Sequence, residues 1–222
     1  MSPLPLLSTR LTIKPLLTSI NLLGSATTNT KLAPEPKTAS PQVSASQKNA
    51  QNFYLVGVKN MEQKNFHRAI EHFNEALRLN PHHGWAYNDR GVARYQLGEK
   101  KSALEDLNKA IQLHPKIAKF YTNRGFIRSR LGDYVGAVED YNLALLLNPN
   151  SAKAYFNRGV LRSQMSDRQG ALADFNWAIK LNPHDGSAYY NRAITRFSLG
   201  DEAGADADFM EASKHFHKEM RP

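Results

Sequence analysis

The sequence predicts an all-α protein: a right-handed α-solenoid of stacked antiparallel helix pairs behind a disordered N-terminal segment. Three observations predict it. Pro81, Pro115, Pro149 and Pro183 stand 34 residues apart, and several other residue columns keep the same spacing without insertion or deletion. Each 34-residue unit holds two apolar-periodic stretches near helix length, separated by a turn signal. The first 49 residues share none of this pattern. A fixed period of this length is the mark of a repeat architecture, in which one unit cannot bury its own apolar face and stacks on its neighbours.

The N-terminal segment comes first in the chain. Residues 1–49 carry six of the eleven prolines, seven Ser, seven Thr and no aromatic residue. Such a composition buries too little apolar surface to offset the entropy of ordering. Arg10, Lys14 and Lys31 precede the first acidic residue, Glu35, and a weak apolar stretch runs from Pro15 to Leu23 ahead of Gly24-Ser25-Ala26. Three readings fit residues 1–26: a secretory signal, an organelle (plastid-type) transit peptide, or an untargeted tail. The first places the protein outside the cytoplasm or in a periplasm, the second in an organelle, the third in the cytoplasm. Residues 27–49 read as a polar linker under all three.

The array follows, in five units: 50–83, 84–117, 118–151, 152–185 and 186–219. Ala69, Ala103, Ala137, Ala171 and Ala205 form one column, and Ala76, Ala110, Ala144, Ala178 and Ala212 another. Gly57, Gly91, Gly125 and Gly159 form a third, with Ala193 in the fifth place. Small residues at these positions let two helices approach closely. Leu97-Gly98-Glu99, Leu131-Gly132-Asp133 and Leu199-Gly200-Asp201 mark the turn inside a unit, with Gly suited to a helix end and the acid to the next N-cap. Leu-Asn-Pro or Leu-His-Pro closes the second helix, because proline cannot continue it. The fifth unit has His217 where the others have proline. Its second helix, Glu202 to Glu219, is polar and is expected to cap the array by solvating its last face.

These columns resemble the tetratricopeptide repeat. The aromatic column is Phe53, Tyr87, Tyr121, Tyr155 and Tyr189; four residues after the first Ala stand Phe73, Leu107, Tyr141, Phe175 and Phe209. The resemblance covers residues 50 to about 219. It departs from the family pattern in two columns: Arg90, Arg124, Arg158 and Arg192 replace the usual Leu, and Arg94, Arg128, Arg162 and Arg196 replace the usual Tyr. A matching acidic column, Asp106, Asp140, Asp174 and Asp208, runs in register. Arginine and aspartate recurring together point to ion pairs between neighbouring helices, bidentate in the best geometry, that fix stacking register. The alternative is an RNA-binding stripe in which the arginines meet phosphates and aromatics stack on bases.

The resemblance implies that the first helix of each repeat lines a concave groove. Its sixth position holds Leu55, Asp89, Asn123, Asn157 and Asn191. An Asn amide offers both a donor and an acceptor, so such a ladder suits the backbone of an extended peptide. The alternative is that each Asn bridges its own backbone or a neighbouring repeat. Lys119, Lys153 and Arg130 add positive charge to the groove, and Tyr95, Phe126, Val160 and Phe197 add apolar surface. A clamp for a C-terminal carboxylate, known in one branch of the family, is matched only by Asn123 and Lys153. Asn88 and Val92 stand where it needs Lys and Asn, and Asn157 where it needs Arg.

Other chemistry is missing from the sequence. There is no cysteine, hence no disulfide, thiolate metal site or cysteine nucleophile. No glycine-rich phosphate loop or nucleophile elbow occurs, and no cofactor is implied. His82-His83 and His215-x-His217 are close pairs without further ligands at a recognisable spacing and read as solvated surface histidines. No apolar run approaches the ~18 residues of a membrane span. The formal charge of +9 divides between the leader, with five basic residues against one acidic, and the array, with 24 against 19. The sequence therefore describes a non-catalytic interaction scaffold that takes a protein or extended peptide in its groove, suited to complex assembly. Nucleic acid is the rival partner, and self-association through the last helix is a further option.

Overall fold

The computed structural model describes residues 45–219. The leader, 1–26, and all but the end of the polar linker lie outside the described residues. Ten helices follow one another: α1 (Ala45–Glu62), α2 (Phe66–Leu79), α3 (Gly84–Gln96), α4 (Lys100–Leu113), α5 (Ala118–Arg130), α6 (Tyr134–Leu147), α7 (Ala152–Gln164), α8 (Arg168–Leu181), α9 (Gly186–Phe197) and α10 (Glu202–Glu219). The described residues contain no strand. Each helix packs against the next, so the array is an α-solenoid of helix pairs.

Curvature follows from which helices meet across repeats. The first helices touch each other in succession (α1 with α3, α3 with α5, α5 with α7, α7 with α9), while no second helix reaches the next second helix. The first helices therefore line the inside of the curve. Side chains bridge them directly: Trp85 meets Phe120 edge-on at 4.9 Å, and Tyr95 meets Phe126 at 5.7 Å.

The core is a row of small clusters rather than one centre. Ala110, Phe120, Tyr121, Ala144, Leu145 and Ala154 form the central one, drawn from three successive repeats. The alanine columns are fully buried wherever helices cross. At Gly125 a methyl group would stand 3.0 Å from the Tyr141 ring and 3.2 Å from the Ala137 carbonyl, which is why that crossing has no side chain.

Turn chemistry sets the helix ends. Gly98, Gly132 and Gly200 adopt φ of 84–85° in the turn inside their repeats, and Lys64 and Ser166 hold the same turn position at φ 58° and 65°. Asp133 caps α6 by accepting from Gly136 N–H at 3.0 Å, and Asp167 and Asp201 cap α8 and α10 from Gly170 and Gly204 at 2.9 Å. Glu99, one methylene longer, makes no such bond. It lies 3.7 Å from Arg94 instead.

Three sequence expectations need amendment. Helix α1 begins at Ala45, not at Ala50, so the last residues of the polar stretch are helical; Ser46 Oγ donates to the Leu79 carbonyl at the end of α2 (3.2 Å) and ties the added turn to the array. His83 is not a free surface histidine. It is half-buried and caps α3, its Nδ1 accepting from Ala86 N–H at 3.1 Å, with Tyr54 against its ring. The last face is mixed rather than polar throughout: Phe209, 37% exposed against Tyr190, and Met210, 65% exposed, stand among the exposed Asp206, Ser213 and Lys214.

Candidate functional site

The eight column arginines are built into the stack. Arg124 shows the pattern: Nε and Nη2 grip Asp140 Oδ2 and Oδ1 at 2.9 and 2.6 Å, and Nη1 donates to Asn108 Oδ1 of the preceding repeat at 2.8 Å. Arg90, Arg158 and Arg192 repeat this fork on Asp106, Asp174 and Asp208, and reach back to Asn74, Asn142 and Asn176. The second column, Arg94, Arg128, Arg162 and Arg196, approaches the same carboxylates at 2.8–3.1 Å. Each aspartate is almost completely buried. Each first-column arginine also lies over the aromatic ring of its own repeat, at 5.3–5.7 Å from the centroid. The Asn74, Asn108, Asn142 and Asn176 column escaped the sequence reading, although its 34-residue spacing was visible.

The sixth-position column behaves differently from rung to rung. Its neighbour is the fifth-position residue of the repeat before: Tyr54, Asn88, Thr122 or Phe156. Tyr54 donates to Asp89 Oδ2 at 2.9 Å, and Asn88 donates to Asp89 Oδ1 at 2.7 Å. Burial and the Asp89 charge push the Tyr54 phenol well above its ordinary range. Asn123 donates to Asn88 Oδ1 at 2.9 Å. There the chain of bridges stops. Thr122 turns its hydroxyl back to the Ala118 carbonyl (3.1 Å), and Phe156 offers no acceptor. Asn191 bonds the Ser187 carbonyl of its own helix at 2.8 Å. Asn157 Nδ2 is buried and has no hydrogen-bond partner among the described residues.

Asn157 lines a groove cavity of about 400 Å³. Five residues expected in the groove meet there: Tyr95 of α3, Phe126 and Arg130 of α5, and Asn157 and Val160 of α7. Lys100, Ser129, Tyr134, Tyr141, Phe156, Leu161 and Gln164 complete the wall. The Tyr141 phenol is raised well above its ordinary range by burial. The lining holds no Asp or Glu. Arg130 and Lys100 are exposed and form no ion pair among the described residues.

The remaining groove residues lie elsewhere. Asp89 and Asn123 belong to the bridged rungs. Lys119 Nζ sits over the Trp85 ring at 5.3 Å. Lys153 is exposed on α7, and Phe197, 63% exposed, ends α9. No three His, Asp or Glu side chains among the described residues are grouped to hold a metal ion, and no described helix is long and apolar enough to cross a membrane.

A helical array whose buried ion pairs join the two helices of each repeat, whose arginines reach back to an Asn of the repeat before, and whose inner face is left open, is a protein-interaction scaffold by class. The chain belongs to the tetratricopeptide repeat family: that family's model matches residues 60–116 and 161–214, together half of the sequence, and a second TPR repeat model matches 130–166. No curated protein matches the sequence significantly. Among solved structures, MamA is 22% identical with a TM-score of 0.65, covering 74% of this chain and 96% of its own. PilF of Pseudomonas aeruginosa is 19% identical with a TM-score of 0.73, covering 78% of each chain. YrrB, a TPR protein with an unusual peptide-binding site, is 19% identical with a TM-score of 0.59, covering 78% of this chain and 93% of its own. At these identities the likeness is one of fold.

Proposed function

We propose that the concave face of the array binds an extended peptide or a segment of a partner protein, and that the protein acts as a non-catalytic assembly scaffold. The observation that carries this reading is the division of labour among the polar residues. The arginines of both columns are committed to carboxylates inside the stack. The inner helices, by contrast, leave Tyr95, Phe126, Arg130, Asn157 and Val160 around one open cavity. An extended segment there would gain affinity from a few apolar anchors and backbone hydrogen bonds rather than from area alone. The peptide-binding site of YrrB supports the reading by analogy of fold. The RNA alternative loses its main support, because the arginines that would meet phosphates are already paired.

Site-specific photo-crosslinking in cells tests the proposal. A photoreactive residue at Val160, in the groove, is expected to trap a discrete partner. The same residue at Leu146, 77% exposed on the second helix of its repeat, is expected not to. Trapping at Leu146 alone would sink the groove reading.

A further inference from the structure

Repeat meets repeat through a fixed set of residue pairs, each joining one column of a repeat to another column of the next. Among the described residues the first unit is preceded by no repeat and the fifth is followed by none, so half of each pair stands open at either end. The open halves differ from their interior counterparts, and they differ together. At the interior junctions an arginine donates to an asparagine of the repeat before: Arg90 to Asn74, Arg124 to Asn108, Arg158 to Asn142 and Arg192 to Asn176. The arginine place of the first unit holds Val56 and the asparagine place of the fifth holds Met210, both exposed. A polar pair has become an apolar one.

A second pair changes in the opposite direction. Across one junction Leu104 and Ile127 belong to a single apolar cluster, and across the next Val138 and Leu161 do. The same columns end in Asp206 of the fifth unit and Lys59 of the first, both exposed and without an ion pair among the described residues. Here an apolar pair has become two opposite charges. In a third pair Tyr54 donates to Asp89, and Asn88 accepts from Asn123. Its open halves are Tyr190 and Leu55, again both exposed. Ends that need only water would turn polar independently. Instead valine answers methionine and lysine answers aspartate, and each favours association only with its complement. Helix lengths agree: α1 and α10 have 18 residues, the others 12–14. The extra turns lie at the start of α1 and the end of α10, the two helix ends that a turn joins inside the array.

We propose that the protein associates with itself head to tail, the fifth repeat of one copy taking the first repeat of the next copy as its following repeat. Met210 packs on Val56 of the next copy and Tyr190 on its Leu55, while Asp206 pairs with its Lys59. The interface between neighbouring repeats is what holds a solenoid together, and here it forms between copies. The contact uses different surfaces on the two copies, so each dimer keeps one free head and one free tail, and association propagates. One such junction is a small interface, so chain length follows concentration. The concave faces of successive copies join into one longer groove, and the scaffold grows five repeats at a time.

The test is sedimentation velocity on the full chain from about 1 μM to about 1 mM. The average mass is expected to rise with concentration and to pass beyond two chains. Val56→Lys spoils the head and Met210→Lys the tail. The fold accepts both, since arginine fills the Val56 place in the four following repeats and Met210 is exposed. Each variant alone is expected to associate at least about tenfold more weakly than the parent. Mixed in equal amounts, they are expected to form a dimer that grows no further, because the intact tail of the Val56→Lys chain fits the intact head of the Met210→Lys chain. A contact between like ends gives another result: one variant assembles as the parent does, and mixing adds nothing. That result would overturn the proposal, as would a mixture that stays monomeric. A parent that stays monomeric over the whole range, its ends covered by its own N-terminal segment or by solvent alone, would overturn it too. Lys59→Asp and Asp206→Lys, both at exposed sites, give an independent reading. Each is expected to weaken association, and the two together in one chain to restore it. No recovery in the double variant would overturn the proposed register.

Discussion

At the scale of single residues, His83 shows how a side chain can hold two roles at once. Its Nδ1 accepts from Ala86 N–H to cap α3, and its Nε2 lies 3.2 Å from Gln51 Oε1 across the first inter-repeat turn. Protonation would remove the lone pair that makes the cap. Burial lowers its proton affinity below the ordinary value of 6.5, against a hydrogen bond to its own backbone and the Asp89 charge, with His114 acting in the same direction as burial. Below about pH 6.5 the unfolded chain therefore binds this proton more readily than the folded one, and stability is lost as the pH falls through that range. His83→Asn keeps a capping acceptor that does not titrate. Urea unfolding from about pH 7 to about pH 5 is expected to show a smaller loss of stability in this variant than in the parent. Equal losses would mean that the imidazole proton plays no part.

At the scale of helices, the repeated fork of arginine, aspartate and asparagine determines how one pair sits on the next. Asp174 is 2% exposed and accepts from both Arg158 and Arg162. Removing the carboxylate leaves two cations facing each other in a partly dry site. Asp174→Asn and Arg158→Ala are each expected to cost about 3–5 kcal/mol, read as a fall in the urea midpoint. A cost below about 1 kcal/mol would place these arginines among ordinary surface pairs and reopen the phosphate-binding alternative. The helices themselves were largely legible. The proline and glycine punctuation predicted their ends, since Leu79-Asn80-Pro81 does close α2 and Gly132 does turn the chain into α6. The start of α1 was not, because a polar Ala-Ser-Gln-Lys-Asn run has no apolar period and is drawn into helix by its tie to Leu79.

At the scale of the whole array, the two ends differ from the middle in ways that the columns make visible. In the fifth unit Met210 takes the place of Asn74, Asn108, Asn142 and Asn176, and no arginine among the described residues pairs with it. Phe209 is partly open where its counterparts Phe73, Leu107, Tyr141 and Phe175 are buried. The same chemical exchange should therefore have different costs at two equivalent positions. Asn176→Met removes the acceptor of Arg192 Nη1, a 2.8 Å bond, and is expected to cost about 1 kcal/mol in urea unfolding. Met210→Asn, at an exposed position, is expected to stay within about 0.5 kcal/mol of the parent. Equal costs would show that the asparagine column does not hold repeat to repeat.

The sequence by itself determined the architecture, because a 34-residue spacing of small, aromatic and breaking residues admits one kind of stack. It also foretold the ion pairs, since arginine and aspartate columns in step have few other uses in a helical array. It could not rank the groove residues. Asn123, Asn157 and Asn191 are the same residue at the same register, and nothing local distinguishes them. Only the tertiary structure, by setting Asn88, Thr122 and Phe156 against them, leaves one bridged, one unpaired in a cavity and one folded back on its own helix. A hydrogen bond belongs to two residues, and here the second lies a full repeat away.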